Sequence, residues 1–158
     1  MSEKILEHIR LFLNNAGVSF QEMEHEPTRT SEESAAARGE TLSVGAKALL
    51  LRTHESFSLF VLPADRKLDS TAIRRYLGIR KMRFATPGEL YEMVGLVPGA
   101  VPPFGEPILP FKLYADDAIG TESDRLAFNA GSLNHSVIMA ASDWMTVARP
   151  VLFSFGKK

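Results

Sequence analysis

Val44-Gly45-Ala46-Lys47-Ala48-Leu49-Leu50-Leu51-Arg52-Thr53, then His54-Glu55-Ser56, then Phe57-Ser58-Leu59-Phe60-Val61-Leu62 is a pair of apolar runs divided by three polar residues. Apolar runs of this length bounded by a polar turn predict two strands, Val44–Thr53 and Phe57–Leu62, joined as a hairpin. Side chains alternate faces along a strand, so Lys47 shares a face with Leu49 and Leu51. A lysine on that apolar wall has two readings. Its stem can snorkel from a sheet edge to solvent, or its ammonium can be held in a cleft to meet a phosphate or a polarised carbonyl.

Outward from this hairpin the chain alternates short helices with short strands. Upstream, Ile5, Leu6, Ile9, Phe12 and Leu13 recur at helical spacing and Gly17 supplies a stop, predicting a helix over 3–15. A short strand opens at Val18-Ser19-Phe20 and closes at His25-Glu26-Pro27. Thr30 and Glu33 have capping-box spacing ahead of a helix that Gly39 ends. Downstream, Asp69 or Ser70 caps a helix stopped by Gly78. Lys81–Ala85 reads as a strand, and Pro87 suits the first turn of a helix over Glu89–Val94. Strands are expected at Phe111–Tyr114, Leu126–Asn129, Ser136–Met139 and Val151–Phe155, with a helix starting at Ser142 or Asp143. This order predicts a mixed α/β fold over a single domain, residues 1–158, with a curved and mostly buried mixed sheet flanked by short helices.

Composition narrows the function. The 158 residues are 45% hydrophobic and 23% charged, which suits one globular domain. With no cysteine, thiol nucleophiles and Cys-ligated zinc are excluded. A net charge of −1 argues against wrapping long nucleic acid, though not against gripping one strand end. Met1-Ser2-Glu3-Lys4 leads into a mixed polar and apolar segment unlike a signal peptide, and no run approaches a membrane span. A cytoplasmic protein with no membrane partner is expected.

Three further features carry chemical interest. Gly95 to Gly105 holds three glycines and three prolines in eleven positions, too many for helix or central strand. Such a loop is either a rigid connection or a means of presenting backbone N–H groups to a ligand. Arg74, Arg75, Arg80, Lys81 and Arg83 give five basic side chains without an acidic one over 74–83, either a solvated face or a grip on the phosphates of a short single strand. Between two expected strands, Gly131 suits a tight turn, and Ser132, Asn134 and His135 can face a pocket. No Gly-x-Ser-x-Gly elbow, His-Glu-x-x-His or phosphate-loop motif is present.

Lys47-Ala48-Leu49-Leu50-Leu51, Gly99-Ala100-Val101-Pro102-Pro103 and Ala130-Gly131-Ser132, with His25-Glu26-Pro27 and Lys67-Leu68-Asp69, stand in an order that resembles the YbaK/EbsC family. That family includes the editing domain of bacterial prolyl-tRNA synthetases and free-standing relatives, and the likeness runs from about residue 20 to 147. The resemblance implies hydrolysis of mischarged aminoacyl-tRNA, typically a small residue such as alanine or cysteine on tRNA for proline, through the substrate's own ribose hydroxyl and a water, with neither metal nor cofactor. It implies catalytic roles for Lys47, Gly99 and Pro103, with Lys47 near the terminal phosphate. Ala100, Val101, Pro102, Gly131, Ser132 and His135 would line the substrate pocket, and Arg74, Arg75, Arg80, Lys81 and Arg83 would hold tRNA. The partners implied are the tRNA acceptor end with its amino acid and a prolyl-tRNA synthetase. Ala48 departs from the polar residue that some alanine-specific relatives carry after the lysine, leaving the amino acid open. The alternative is a module that binds the acceptor end without useful turnover.

Overall fold

The computed structural model describes residues 2–158. In chain order it contains α1 (Ser2–Asn15), β1 (Phe20–Glu24), α2 (Ser31–Arg38), a 3-10 turn (Leu42–Val44), β2 (Ala46–Thr53), β3 (Ser56–Pro63), β4 (Lys67–Leu68), α3 (Ser70–Leu77), β5 (Met82–Phe84), α4 (Pro87–Val94), β6 (Lys112–Asp116), β7 (Arg125–Asn129), β8 (His135–Ala140), α5 (Ala141–Ala148), β9 (Val151–Phe153) and β10 (Gly156–Lys157). The mixed α/β class expected from the sequence is present. Its β structure falls into a five-stranded sheet ordered β5-β2-β3-β6-β9, a three-stranded sheet ordered β1-β8-β7, and the pair β4-β10. The first is mixed: β2 is antiparallel to β3 and β5, while β6 lies parallel to β3 and β9. One parallel bridge, Gly45 to Ala127, joins the two larger sheets.

The apolar hairpin organises the molecule. In β3, Leu59, Phe60, Val61 and Leu62 are all fully buried, so both faces of this strand lie in core. Leu59 and Val61 join a large cluster with Ile9 and Leu13 of α1, Phe104, Phe128 and Trp144. Phe60 and Leu62 face a second cluster with Leu51, Ile73, Tyr114 and Phe155, where Phe60 stacks on Tyr114 at 4.9 Å between centroids. Thr53 pairs with Ser56, so the connection is the two residues His54-Glu55 rather than three. His54 takes φ 60°, as a primed hairpin turn demands at its first position.

Several element ends differ from expectation for local reasons. Strand β2 starts at Ala46 because Leu42–Val44 coil into a 3-10 turn first. Thr30 caps α2 by accepting from the Glu33 N–H, but the Glu33 carboxylate accepts from Arg29 N–H rather than closing the box on Thr30. The complete box lies at α4, between Thr86 and Glu89. Helix α5 starts before Ser142 with no side-chain cap, and its Ala141 N–H donates to the Asp124 carbonyl. The C-terminal strand divides into β9 and β10 because buried Asp116 accepts from the Phe155 and Gly156 N–H groups at 2.8 and 2.7 Å and turns the chain there.

Candidate active site

A cleft of about 190 Å³ opens where the N-terminal end of α2, the start of β2 and the glycine-proline loop meet. Thr28, Arg29, Thr30, Ser31, Ser34 and Arg38 form one wall, Gly45 to Leu49 another, and Gly99, Val101 and Asn129 close it. Three of these residues are cationic and none is a carboxylate. Lys47 is half-buried, and burial pushes its ammonium below the ordinary lysine value, partly offset by Glu32 and Asp65. The period of two holds on this strand: Leu51 is buried in the second core cluster, Leu49 packs against it, and Lys47 stands where that face runs out into the cleft.

The loop is pinned from behind. Pro103 is buried, and its carbonyl accepts from the Trp144 indole N–H at 2.9 Å. Ala100 is buried as well, its carbonyl accepting from Gly131 N–H at 2.9 Å. The Gly99 carbonyl accepts from the Asn129 side-chain amide at 2.9 Å. Gly99 has φ +88°, and a Cβ there would meet Leu133 Cδ2 at 3.2 Å, so a side chain is disfavoured both by conformation and by space. The N–H groups of Gly99 and Val101 have no hydrogen-bond partner among the described residues, and both residues line the cleft. Unpaired loop amides beside a cationic side chain can stabilise negative charge on an oxygen.

Lys47, Gly99 and Val101 are therefore brought together, and the other expected site residues are not. Ala100, Pro102 and Pro103 form the buried back of the loop. Gly131 and Ser132 line a separate hollow with Pro27, Gly95 and Leu133. His135 lies in neither; its Nε2 contacts Glu22 Oε1 at 2.9 Å. The reason is strand alternation in β8, which sends His135 to one face and Ser136 to the other.

Ser136 belongs to a buried polar network that the sequence did not disclose. Its hydroxyl contacts His25 Nε2 at 2.8 Å and accepts from Arg38 Nε at 2.9 Å. Arg38 Nη2 donates to Asn129 Oδ1 at 3.1 Å, and Asn129 in turn holds Gly99. Thr28 and Ser34 hydroxyls pair at 2.7 Å in the same wall. Arg38 is only 8% exposed, and burial pushes its guanidinium down to about 10, slightly offset by Glu40. The one available signal was a polar and cationic residue at the end of an alanine-rich helix.

The basic run forms a second feature. Arg74, Arg80, Lys81 and Arg83 surround a hollow of about 470 Å³, completed by Arg52, His54 and Met82. Arg75 is exposed and lies outside it. Arg83 is not free: both its terminal nitrogens bind Glu89, at 2.8 and 3.0 Å, and this pairing holds the Glu89 carboxyl down to about 2. Among the described residues no group of three or more His, Asp or Glu side chains gathers as a metal ion requires, and no helix is long and apolar enough to cross a membrane.

Comparison with known proteins identifies the family. The family model for the aminoacyl-tRNA editing domain matches residues 25–147. The multifunctional Ser/Thr-tRNA deacylase ProXp-y of Escherichia coli K12 is 35% identical over 162 residues, covering 98% of this chain and 96% of its own. The prolyl-tRNA editing protein ProX of Acetoanaerobium sticklandii is 30% identical over 95 residues, 59% of this chain and 58% of its own. A crystal structure described as a candidate trans-editing enzyme for prolyl tRNA synthetase superposes with a TM-score of 0.80 over 97% of both chains at 23% identity, a likeness of fold. The chain therefore belongs to the aminoacyl-tRNA editing domain family, whose members are hydrolases that deacylate aminoacyl-tRNA.

Proposed function

We propose that the Lys47 cleft hydrolyses the ester of aminoacyl-tRNA and prefers seryl and threonyl groups. The observation that carries this reading is the lining: three cations and the hydroxyls of Thr28, Thr30, Ser31 and Ser34 in one small cleft without a carboxylate. A wall that bonds a substrate hydroxyl rejects the analogue lacking it far more strongly than an apolar pocket rejects a size change. The relative named for Ser/Thr-tRNA, alike over nearly the whole chain, supports the same choice. In the reaction, a water oxygen bonds to the ester carbonyl carbon, the bond from that carbon to the ribose oxygen breaks, and the ribose oxygen leaves with a proton. Free amino acid and uncharged tRNA result.

In this reading Lys47 holds the terminal nucleotide through its phosphate, and the Gly99 and Val101 amides face the ester oxygen. Pro103 acts as the loop's anchor on Trp144. The Gly131–Ser132 hollow and His135 flank the site and position its walls. Strand β2 runs from this cleft toward the basic hollow, where Arg74 of α3 and Met82 of β5 lie on the Lys47 side of the sheet and Arg52 projects from the other. Five residues of strand span about 17 Å, on the order of five stacked nucleotides. Arg74, Arg75, Arg80 and Lys81 then hold phosphates upstream of the acylated adenosine, with Arg83 committed to Glu89. In this reading residues 1–158 form one domain, α1 packing into the larger core cluster and Val151, Phe153 and Phe155 of the C-terminal segment into the second, and a tRNA substrate implies a cytoplasmic protein.

A second reading, a small residue on tRNA for proline with a prolyl-tRNA synthetase as partner, is favoured by the ProX relative and by the small Ala46 and Ala48 in the lining. A panel of Ser-, Thr-, Ala-, Cys- and Pro-tRNA esters separates the two. Release of serine and threonine at least 10-fold faster than alanine supports the first reading, and alanine released faster supports the second. Binding without release from any ester means an acceptor-end sensor. Run across salt with Arg74, Arg75 and Arg80 changed to Gln, the assay should show a shallower dependence, by about 0.7 in log–log slope for each phosphate no longer neutralised. An unchanged slope removes the basic face from the substrate path.

A further inference from the structure

Arg38 presents an unused donor on the inner wall of the cleft. Its Nε and Nη2 are committed to Ser136 and Asn129, while Nη1 has no partner among the described residues. Nor does it form an ion pair among them: the carboxylate that influences it, Glu40, is bound to Arg125. The side chain is largely enclosed, yet Nη1 is not among the sealed polar atoms and keeps contact with solvent. Gly45 lines the cleft beside it, and a Cβ added there would lie 3.4 Å from Nη1, 3.2 Å from Ala64 Cβ and 3.4 Å from the Leu42 carbonyl.

A buried cation without a counter-charge is costly, and removing a cleft from water makes that cation act more strongly on any anion that enters. Lys47 and Arg29 line the same space, and the N-terminal turn of α2 adds its partial positive charge there. Among the cleft's lining residues nothing negative competes. We propose that Arg38 binds substrate directly, its Nη1 taking an anionic oxygen of the acylated nucleotide end: either a phosphate oxygen or the oxygen that develops charge on the ester carbonyl during attack. Two of its other nitrogens hold Ser136 and Asn129, so the same side chain ties the Gly99 loop to the group that docks against it. The inference rests on the deacylase reading of this cleft and goes beyond it in naming a residue that composition and spacing did not single out.

The test compares Arg38→Met and Gly45→Ala with the wild-type chain. Gly45→Ala sets a methyl group 3.4 Å from Nη1 but 3.2 Å from Ala64 Cβ, so it is made together with Ala64→Gly, and that variant decides the matter should Arg38→Met fail to fold. Two quantities are read: thermal protection by inorganic phosphate and by adenosine 5′-monophosphate, and the split between kcat and KM in deacylation. A phosphate contact predicts that both variants lose at least 10-fold in anion affinity and raise KM with kcat kept. A carbonyl contact predicts unchanged protection and KM, with kcat lower by 10- to 100-fold. Folded variants within twofold of wild type on all measures overturn the proposal. A wild-type chain that cleaves no ester but is protected by the nucleotide through Arg38 would sink the deacylase reading and keep Arg38 as an anion site. One that is inactive and unprotected would sink both.

Discussion

Lys47→Ala should lower kcat/KM for deacylation by about 10- to 100-fold, the worth of roughly 1.5–3 kcal/mol for a hydrogen bond to a charged group, and should leave the fold intact. The two halves of this expectation have separate causes. Lys47 makes no ion pair among the described residues, and burial disfavours its charge in the folded protein, so removing it relieves a cost. Stability should therefore change by less than about 1 kcal/mol, as for substitutions away from buried networks. Activity falls because the ammonium is the cation that the β2 face delivers to the cleft. The sign of the pH dependence follows. The folded pKa lies below the ordinary 10.5, so Lys47 releases its proton earlier than a surface lysine as pH rises. Nucleotide binding through Lys47 should weaken across that window, and Lys47→Arg, which stays charged, should move the loss to higher pH. The same lowered pKa means the native state holds its proton less firmly than the unfolded chain, so this group's contribution to stability grows as pH rises through that window. A parallel loss of melting temperature and activity in Lys47→Ala would instead make the residue a support of the sheet.

Trp144 is expected to give the largest loss of stability. It is fully buried in the larger core, and its indole donates to the Pro103 carbonyl. Trp144→Ala should cost roughly 3–5 kcal/mol, combining lost transfer energy with a cavity. At about 2–4 °C per kcal/mol for a chain of this size, the melting temperature should fall by on the order of 10 °C. Trp144→Phe is the more informative change, because it keeps most of the volume and removes the donor. The Pro103 carbonyl is then left buried and unpaired, at about 1–3 kcal/mol. With the loop loosened behind Gly99, deacylation should drop about 10-fold at a temperature where the protein is fully folded. Circular dichroism melting and single-turnover deacylation check both parts. Unchanged turnover in a destabilised Trp144→Phe would mean that Asn129 on Gly99 and Gly131 on Ala100 suffice to hold the loop.

Much of this was legible in the chain, and the limits have physical causes. The Leu59–Leu62 run announces a strand buried on both faces, because no polar residue interrupts it. Gly39, Gly78 and Gly95 end their helices in the left-handed conformation that their position predicts. The density of glycine and proline over Gly95–Gly105 excludes regular structure there, as observed, and Gly99 and Val101 reach the cleft. Interactions made at long range stayed hidden. Arg38 reads as an ordinary helix-ending arginine until Asn129 and Ser136, from strands some 90 residues later, close over it. His135 stood one residue from the position that matters, and only the register of β8 against β1 decides which of the two neighbours faces inward. The pairing of β4 with β10 is invisible locally, since two residues carry no period.

The most direct test of the cleft's role is an NMR titration with a non-hydrolysable amide analogue of 3′-seryl-adenosine 5′-monophosphate. Backbone amide shifts should concentrate at Gly99 and Val101, along Thr28 to Ser34, and at Lys47, and should vanish in Lys47→Ala at the same ligand concentration. Shifts confined to the Gly131–Asn134 hollow or to the basic face around Arg80, with the Lys47 cleft silent, would contradict a substrate site at Lys47.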